Sequence, residues 1–266
     1  MVMHTAIRVI SLAHSPRRNS FHRPPEALGL DWSFMDASTG LIEGAAYDPA
    51  LSYRHMSRQL AAGEIGCYCS HLRLWRELLA HPAARQLIVM EDDVYADWDF
   101  VAAFAEVDWS KAGIDYLKFF IKRPAKFRMV RWHYPIQDRH IVEYTTLALG
   151  AGAYLITRRA AERFERASRI ISRPVDVVMD RPWATGIPVL TVFPYIAMEL
   201  SLPSSLLARE QSDIPRLQRL DYLARRVIEV AKVKTYPLLT RAPKPAHIEV
   251  PPRNPVRAKA AADRGG

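Results

Sequence analysis

Residues 87–93 read Leu-Ile-Val-Met-Glu-Asp-Asp, and this run constrains the fold more than any other. Four consecutive apolar residues predict a short strand buried on both faces, with three carboxylates at its end. Like charges repel, and burying them unpaired costs on the order of several kcal/mol. A cation at the strand end relieves both penalties. Side chains alternate along an extended chain, so Glu91 and Asp93 are expected to point one way and Asp92 the other. Open α/β sheets bind ligands beyond the carboxyl ends of their strands. Hard oxygen donors at this spacing suit Mg²⁺ or Mn²⁺, which also hold substrate phosphates. A solvated acidic turn after a core strand is the other reading these seven residues allow.

The flanking segments narrow the choice. Upstream runs Gly63-Glu64-Ile65-Gly66-Cys67-Tyr68-Cys69-Ser70-His71-Leu72-Arg73-Leu74-Trp75. Cys67, His71, Leu74 and Leu78 follow helical spacing, and His81-Pro82 ends the helix just before the acidic strand. Cys67 is expected to be buried in that helix, with Ser70 and His71 facing a cleft. A satisfied core histidine is the competing reading of His71. The chain opens with an alternating strand, Ile7 to Leu12, followed by the basic turn Ala13-His14-Ser15-Pro16-Arg17-Arg18. A strand ending in a basic turn is a plausible edge for phosphates, although an ordinary exposed turn reads the same way.

Taken in order, these segments resemble glycosyltransferase family 25, the bacterial lipooligosaccharide and lipopolysaccharide glycosyltransferases. The resemblance rests on the basic turn after the first strand, Gly29 to Ala37, Gly63 to Cys67 with Ser70-His71, and Glu91-Asp92-Asp93. It continues through Gly152 to Thr157 with the Arg-Ala-Ala helix, Pro174-Val175-Asp176, and Ser212-Asp213-Ile214. It covers roughly residues 6–215. It implies an α/β, GT-A-like domain that binds a nucleotide sugar on a central, mostly parallel sheet. UDP-galactose or UDP-glucose is the implied donor, and a lipid-linked oligosaccharide the implied acceptor. Asp93, with Glu91 or Asp92 assisting, would hold Mn²⁺ or Mg²⁺, which neutralises the departing diphosphate. Ser11, Arg17, Arg18, Ser70, His71, Glu91 and Asp92 would line the nucleotide-sugar site. Members of this family usually invert the anomeric centre, which requires a base for the acceptor hydroxyl. Asp176 is the first candidate and Asp180, four residues on, the second; a helix N-cap is the structural alternative for Asp176.

Other chemistries find less support. Cys67, Cys69 and His71 supply only three zinc ligands, without the usual paired spacing. No P-loop, dinucleotide fingerprint or Gly-x-Ser-x-Gly elbow is present, which argues against ATPase, dehydrogenase and serine hydrolase readings. A metal-dependent phosphoesterase and a non-catalytic membrane-surface protein remain as alternatives. Two cysteines one residue apart do not make a disulfide framework, so a reducing cytoplasm is expected. Neither a secretory signal nor a membrane span is visible, and the uncharged stretch Tyr144 to Thr157 is too short to cross a bilayer.

The net charge of +9 is unevenly placed. From Arg209 onward there are 13 Lys or Arg against 6 Asp or Glu, a local balance of +7. Within this region Leu217, Leu220, Leu223, Val227 and Val230 recur at three or four residues between Ile214 and Val233. Arg216, Arg219, Arg225, Arg226, Lys232 and Lys234 surround them. This basic amphipathic pattern predicts attachment to an anionic membrane, on the inner face of the plasma membrane, or else a terminal helix with its Leu face on the domain. Nucleic acid is not an expected partner, because few aromatic residues lie among these charges. The expected organisation is a catalytic domain over 1–208, the helical segment over 209–240 and a flexible tail over 241–266.

Along the rest of the chain, strands are expected at 32–36, 116–120, 141–144, 152–157 and 191–193. A short helix interrupted by Pro24-Pro25 is expected near 16–28, and helices over 64–80, 99–107 and 158–168, with loop and short helix over 38–62. Strands alternating with helices predict a central sheet covered on both faces.

Overall fold

A computed structural model describes residues 5–200 and 216–248, the side chains of 216–220 excepted. Its strands are β1 (Ala6–Ser11), β2 (Trp32–Asp36), β3 (Ala46–Tyr47), β4 (Gln86–Glu91), β5 (Val94–Ala96) and β6 (Tyr116–Lys118). They continue as β7 (Phe127–Arg131), β8 (His140–Tyr144), β9 (Ala153–Thr157), β10 (Ile170–Ile171), β11 (Leu190–Phe193) and β12 (Ala197–Glu199). The helices are α1 (Arg17–Ser20), α2 (Pro49–Met56), α3 (Ala62–Ala80), α4 (Trp98–Ala105) and α5 (Trp109–Ala112). They are followed by α6 (Arg158–Ala167), α7 (Val175–Met179), α8 (Pro182–Thr185) and α9 (Arg216–Leu239).

Eight strands form one sheet in the order β2-β1-β4-β9-β6-β11-β8-β7. Six run in one direction, and β9 and β8 run against them. The expected α/β architecture forms, but its sheet is mixed and not mostly parallel: three of the seven strand pairings are parallel and four are antiparallel, because β9 and β8 each insert between strands of the opposite direction. Alternation along β4 shows why both faces are covered. Ile88 and Met90 enter a core with α4 and α5, around Phe104 and Trp109. Leu87 and Val89 enter the opposite core with α3 and α6, around Trp75 and Phe164. A strand buried on both sides has to be apolar throughout, as 87–90 is.

Most expected elements form within a residue or two of their predicted ends. The segment near 16–28 is interrupted at Pro24 and Pro25, as expected, and holds only the four residues of α1 and a 3₁₀ turn at Glu26–Leu28. Strand β7 lies in the basic stretch 118–131, where charge hid the strand pattern. In α3, Gly66 has a packing reason. A Cβ there would collide with the Ser38 carbonyl oxygen, so only glycine lets this helix approach the loop after β2.

The C-terminal segment differs from its expected organisation. Residues 241–248 are docked rather than loose: Ala242 N donates to Glu143 Oε2, and Tyr134 Oη and Ala246 N bond to Ala246 O and Ala112 O respectively. Arg131 also donates to the Pro245 carbonyl, and Arg128 to those of Pro237 and Thr240. Residues 201–215, including Ser212-Asp213-Ile214, and 249–266 lie outside the described residues. No helix among the described residues is long and apolar enough to cross a membrane.

Candidate active site

Three parallel strands bring Ser11, Asp36 and Glu91 to one end of the sheet, with Ile10 beside Met35 on one side and Glu91 on the other. The basic turn after β1 folds over this end. Ser11 Oγ donates to Asp92 Oδ2 at 2.6 Å, and Ser15 Oγ donates to the same oxygen at 3.2 Å. Arg17 Nη1 bridges Asp92 Oδ1 at 3.3 Å and Asp93 Oδ2 at 3.2 Å. Arg18 is turned to the edge, where it bonds the Ser11 carbonyl and Asp36. Asp92 is therefore occupied on both oxygens by this turn.

Glu91 follows Leu87 and Val89 onto the α3 face, opposite to Asp92, as strand alternation requires. His71 Nε2 lies 3.3 Å from Glu91 Oε1, and Cys67 Sγ reaches the same oxygen at 3.9 Å. Behind His71, Tyr154 Oη is 2.8 Å from Nδ1 and accepts from Trp75 Nε1 at 3.0 Å. An indole nitrogen can only donate. A carboxylate can only accept, so His71 carries its hydrogen on Nε2, aimed at Glu91, and its Nδ1 accepts from the Tyr154 hydroxyl. The chain Trp75–Tyr154–His71–Glu91 fixes both the tautomer and the carboxylate.

Asp93 is the least satisfied member. Its Oδ1 is buried with no hydrogen-bond partner among the described residues. Burial, followed by the charge of Glu91, pushes its carboxyl up to about 6 against the pull of Arg17. Burial also works to raise Glu91, but the His71 hydrogen bond and the nearby charges of Lys122 and Arg17 outweigh it and hold this carboxyl low. The Asp93 backbone is held by Leu200 N, and Glu199 pairs with Lys122 beside it.

Two expectations for α3 are reversed. Ser70 and His71, expected to face the cleft, are both fully buried. Ser70 instead donates to Gly66 O and accepts from Ser38 N, fastening the loop after β2. Cys67, expected in the core, is only half-buried and points at Glu91, while Cys69 takes the core position. Cys67, His71 and Glu91 place donor atoms within 4.8 Å of one another. Burial first, then the charges of Glu91, Asp176 and Asp93, push the Cys67 thiol well up, which disfavours a thiolate ligand.

The two candidate bases part company. Asp176 is half-buried near the start of α7, where Pro174 is the N-cap, so the N-cap reading of Asp176 does not hold. Its Oδ1 accepts from Val177 N and its Oδ2 from Gly150 N at 3.3 Å. Burial raises its carboxyl above the ordinary range, against the Gly150 hydrogen bond and the charge of Lys118. Asp180, the C-cap, is buried. It binds Lys118 Nζ at 2.9 Å through Oδ1, and Ala148 N and Leu149 N through Oδ2. Both carboxylates clamp the loop in which Leu149 and Gly150 have positive φ. Asp180 has no oxygen left for an acceptor hydroxyl.

Sequence reasoning had not identified Tyr154, Trp75, Lys122 or Glu199. Trp75 lies one helical turn beyond His71 and Tyr154 falls within the Gly152 to Thr157 motif, but only the fold brings them together.

The family model for glycosyltransferase family 25 (LPS biosynthesis protein) matches residues 4–179. A presumed glycosyltransferase of Haemophilus influenzae is 26% identical over 68% of this chain and 64% of its own length. A glycosyltransferase 25 family member of Aedes aegypti is 27% identical over 59% of this chain and 27% of its own. Procollagen galactosyltransferase 1 of Danio rerio is 26% identical over 55% of this chain and 24% of its own. The match thus spans less than two thirds of each of these relatives.

Proposed function

The chain belongs to glycosyltransferase family 25, and from that premise we propose that it transfers a hexose, galactose or glucose, from a UDP-sugar to a saccharide acceptor of lipooligosaccharide or lipopolysaccharide, using Mn²⁺ or Mg²⁺ and inverting the anomeric centre. Galactose draws support from the name of the zebrafish relative, and the acceptor from the family description. The observation that carries the reading is the buried Asp93 Oδ1 without a partner, beside a Glu91 held ionised. A hard cation is the partner this oxygen pair suits.

Asp93 and Glu91 would hold the ion, which supplies neutralisation of the charge that develops on the leaving diphosphate. Arg17 already spans Asp92 and Asp93 and is placed to donate to phosphate oxygens at the same spot. His71 keeps Glu91 ionised and correctly turned. Asp176, with its raised carboxyl, would accept the proton of the attacking acceptor hydroxyl. Asp180 would keep the 148–150 loop, and with it the Gly150 N–H that Asp176 uses, in place.

The test is a titration of UDP with and without Mn²⁺, followed by a screen of UDP-hexoses for Mn²⁺-dependent sugar release. Mn²⁺-strengthened UDP binding together with release from one hexose supports the reading. Turnover of a generic phosphoester without nucleotide preference would move the chain to the phosphoesterase alternative.

A further inference from the structure

Helix α9 is mounted with its apolar side outward. Its inward positions are Asp221, Tyr222, Arg225, Glu229, Val233 and Tyr236, all half-buried. Glu229 pairs with Arg181 at 2.8 Å and with Arg173, and Asp221 lies 3.6 Å from Arg54 on α2. The helix is thus fastened to the domain largely by ion pairs. Leu223, Val227 and Val230 lie on the opposite side and are exposed, with Val227 at 70% and Leu238 at 82%. The usual arrangement of a terminal amphipathic helix, apolar face in and charges out, is inverted here.

The charges say what this face meets. At about 100° per residue, Arg226 borders the apolar stripe and Lys234 lies within it, whereas Lys232 falls on the inward side with Asp221 and Arg225, 3.9 Å from Glu229. Arg226 and Lys234 are exposed. The acidic residues of the described part of α9, Asp221 and Glu229, are both turned inward. An apolar stripe whose charged side chains, Arg226 at its border and Lys234 within it, are both cations matches the boundary between acyl chains and anionic headgroups. A second copy would set these cations against one another across a two-fold axis. We propose that α9 lies in the surface of an anionic lipid bilayer, with Leu223, Val227 and Val230 in the acyl boundary and Arg226 and Lys234 at lipid phosphates. Arg181, which ties α9 down, immediately follows Asp180 and lies five residues after Asp176. The bilayer is therefore beside the segment that carries the candidate base. The placement of a lipid-linked acceptor there rests on the proposed transferase reading, whereas bilayer binding itself does not.

Co-sedimentation of the full chain with phosphatidylglycerol–phosphatidylcholine vesicles, against phosphatidylcholine alone, tests the proposal without any sugar transfer. Wild-type protein pellets with the anionic vesicles at low salt, less at high salt, and not with the neutral ones. Arg226→Glu with Lys234→Glu lowers partitioning by about 25-fold or more. Val227→Ser with Val230→Ser lowers it at every salt concentration. Wild-type protein that ignores anionic vesicles at low salt overturns the proposal, as does either double variant that binds like wild type. A dimer in sedimentation equilibrium that Val227→Asp splits assigns the face to a second copy instead. Because these side chains lie in solvent, both double variants melt like wild type. Their unfolding would show that the face is packed and would equally overturn the proposal.

Discussion

Asp180 and Asp93 are both carboxylates withdrawn from water, and their oxygens are used differently. Asp180 has a buried lysine on one oxygen and two backbone N–H groups on the other. Asp93 has an arginine on one oxygen and nothing among the described residues on the other. A buried charge is tolerated when its lone pairs are filled. A folded chain that leaves one empty is bearing a cost that a ligand can remove. The difference teaches that burial and charge alone do not mark a functional acid; the bookkeeping of its hydrogen bonds does. Asp92, between Glu91 and Asp93 in sequence, belongs with Asp180 by this criterion, because Ser11, Ser15 and Arg17 fill it.

The largest effect should fall on Asp93. Asp93→Asn is expected to lower transfer by about 10³-fold, because the lost charge served the leaving group, while the metal-free protein melts no lower than wild type, because the fold bears that charge at a cost. Asp180→Ala should do the reverse. It leaves Lys118 buried without its partner and should cost about 3–5 kcal/mol of stability, read in a urea titration. Comparable melting of the two variants, or normal transfer by Asp93→Asn, would dissolve the distinction.

Asp176 comes next, since it stands between the two groups: it helps clamp the 148–150 loop yet remains half-exposed. Asp176→Asn keeps an acceptor for Gly150 N and removes the basic site. Turnover should fall by about 10²-fold, with Mn²⁺-dependent UDP binding unchanged. Loss of UDP binding in step with turnover would place Asp176 with the donor site instead of the acceptor.

How much of this was legible in the sequence follows from what each element is made of. β4 and α3 were readable because four apolar residues and a three-to-four spacing leave few other structures. The acidic strand end was readable for the same reason, since alternation alone separates Glu91 from Asp92. The Lys118–Asp180 pair was not, because its members are 62 positions apart and no periodicity links them. Lys118 lies in the expected strand 116–120, but alternation does not say what its ammonium meets; the basic stretch it opens works inward, through Lys118 on Asp180 and through Arg128 and Arg131 on the C-terminal segment. The stripe on α9 was visible, but not which way it faces. That depends on Arg54, Arg173 and Arg181, contributed by other elements.

A smaller effect tests the shell around Glu91. Tyr154→Phe removes the hydroxyl that accepts from Trp75 and donates to His71. His71 is then free to carry its hydrogen on Nδ1, and Glu91 loses its fixed donor. Mn²⁺-dependent UDP binding should weaken by about 10-fold, with turnover largely recovered at saturating Mn²⁺. An unchanged Mn²⁺ requirement would mean that the chain Trp75–Tyr154–His71 only packs the core.

The weakest effect is a response to pH of opposite sign on the two sides of the comparison. His55, on α2, accepts from Arg173 at 2.7 Å and lies 3.1 Å from Ser172 Oγ, just ahead of Asp176. Burial, then the charges of Arg173, Arg181 and Arg225, lower its pKa to about 4 from 6.5. Between those values the unfolded chain takes up a proton here and the folded chain does not. His55 therefore contributes stability that is fully present above about pH 6.5 and is lost as the pH falls towards 4. Solvent reaches this side chain, so the loss should be no more than about 1 kcal/mol. Asp93 acts in the other direction in metal-free protein. Its carboxyl, near 6 when folded and 3.8 as a free side chain, binds its proton more readily in the folded state, so acidification through that range restores stability. Urea midpoints from pH 7 to 4, with chelator present, separate the two. The profile of His55→Gln should fall less than wild type on acidification, and that of Asp93→Asn should fall more. Parallel profiles for all three proteins would show that neither group feels its surroundings as the fold implies.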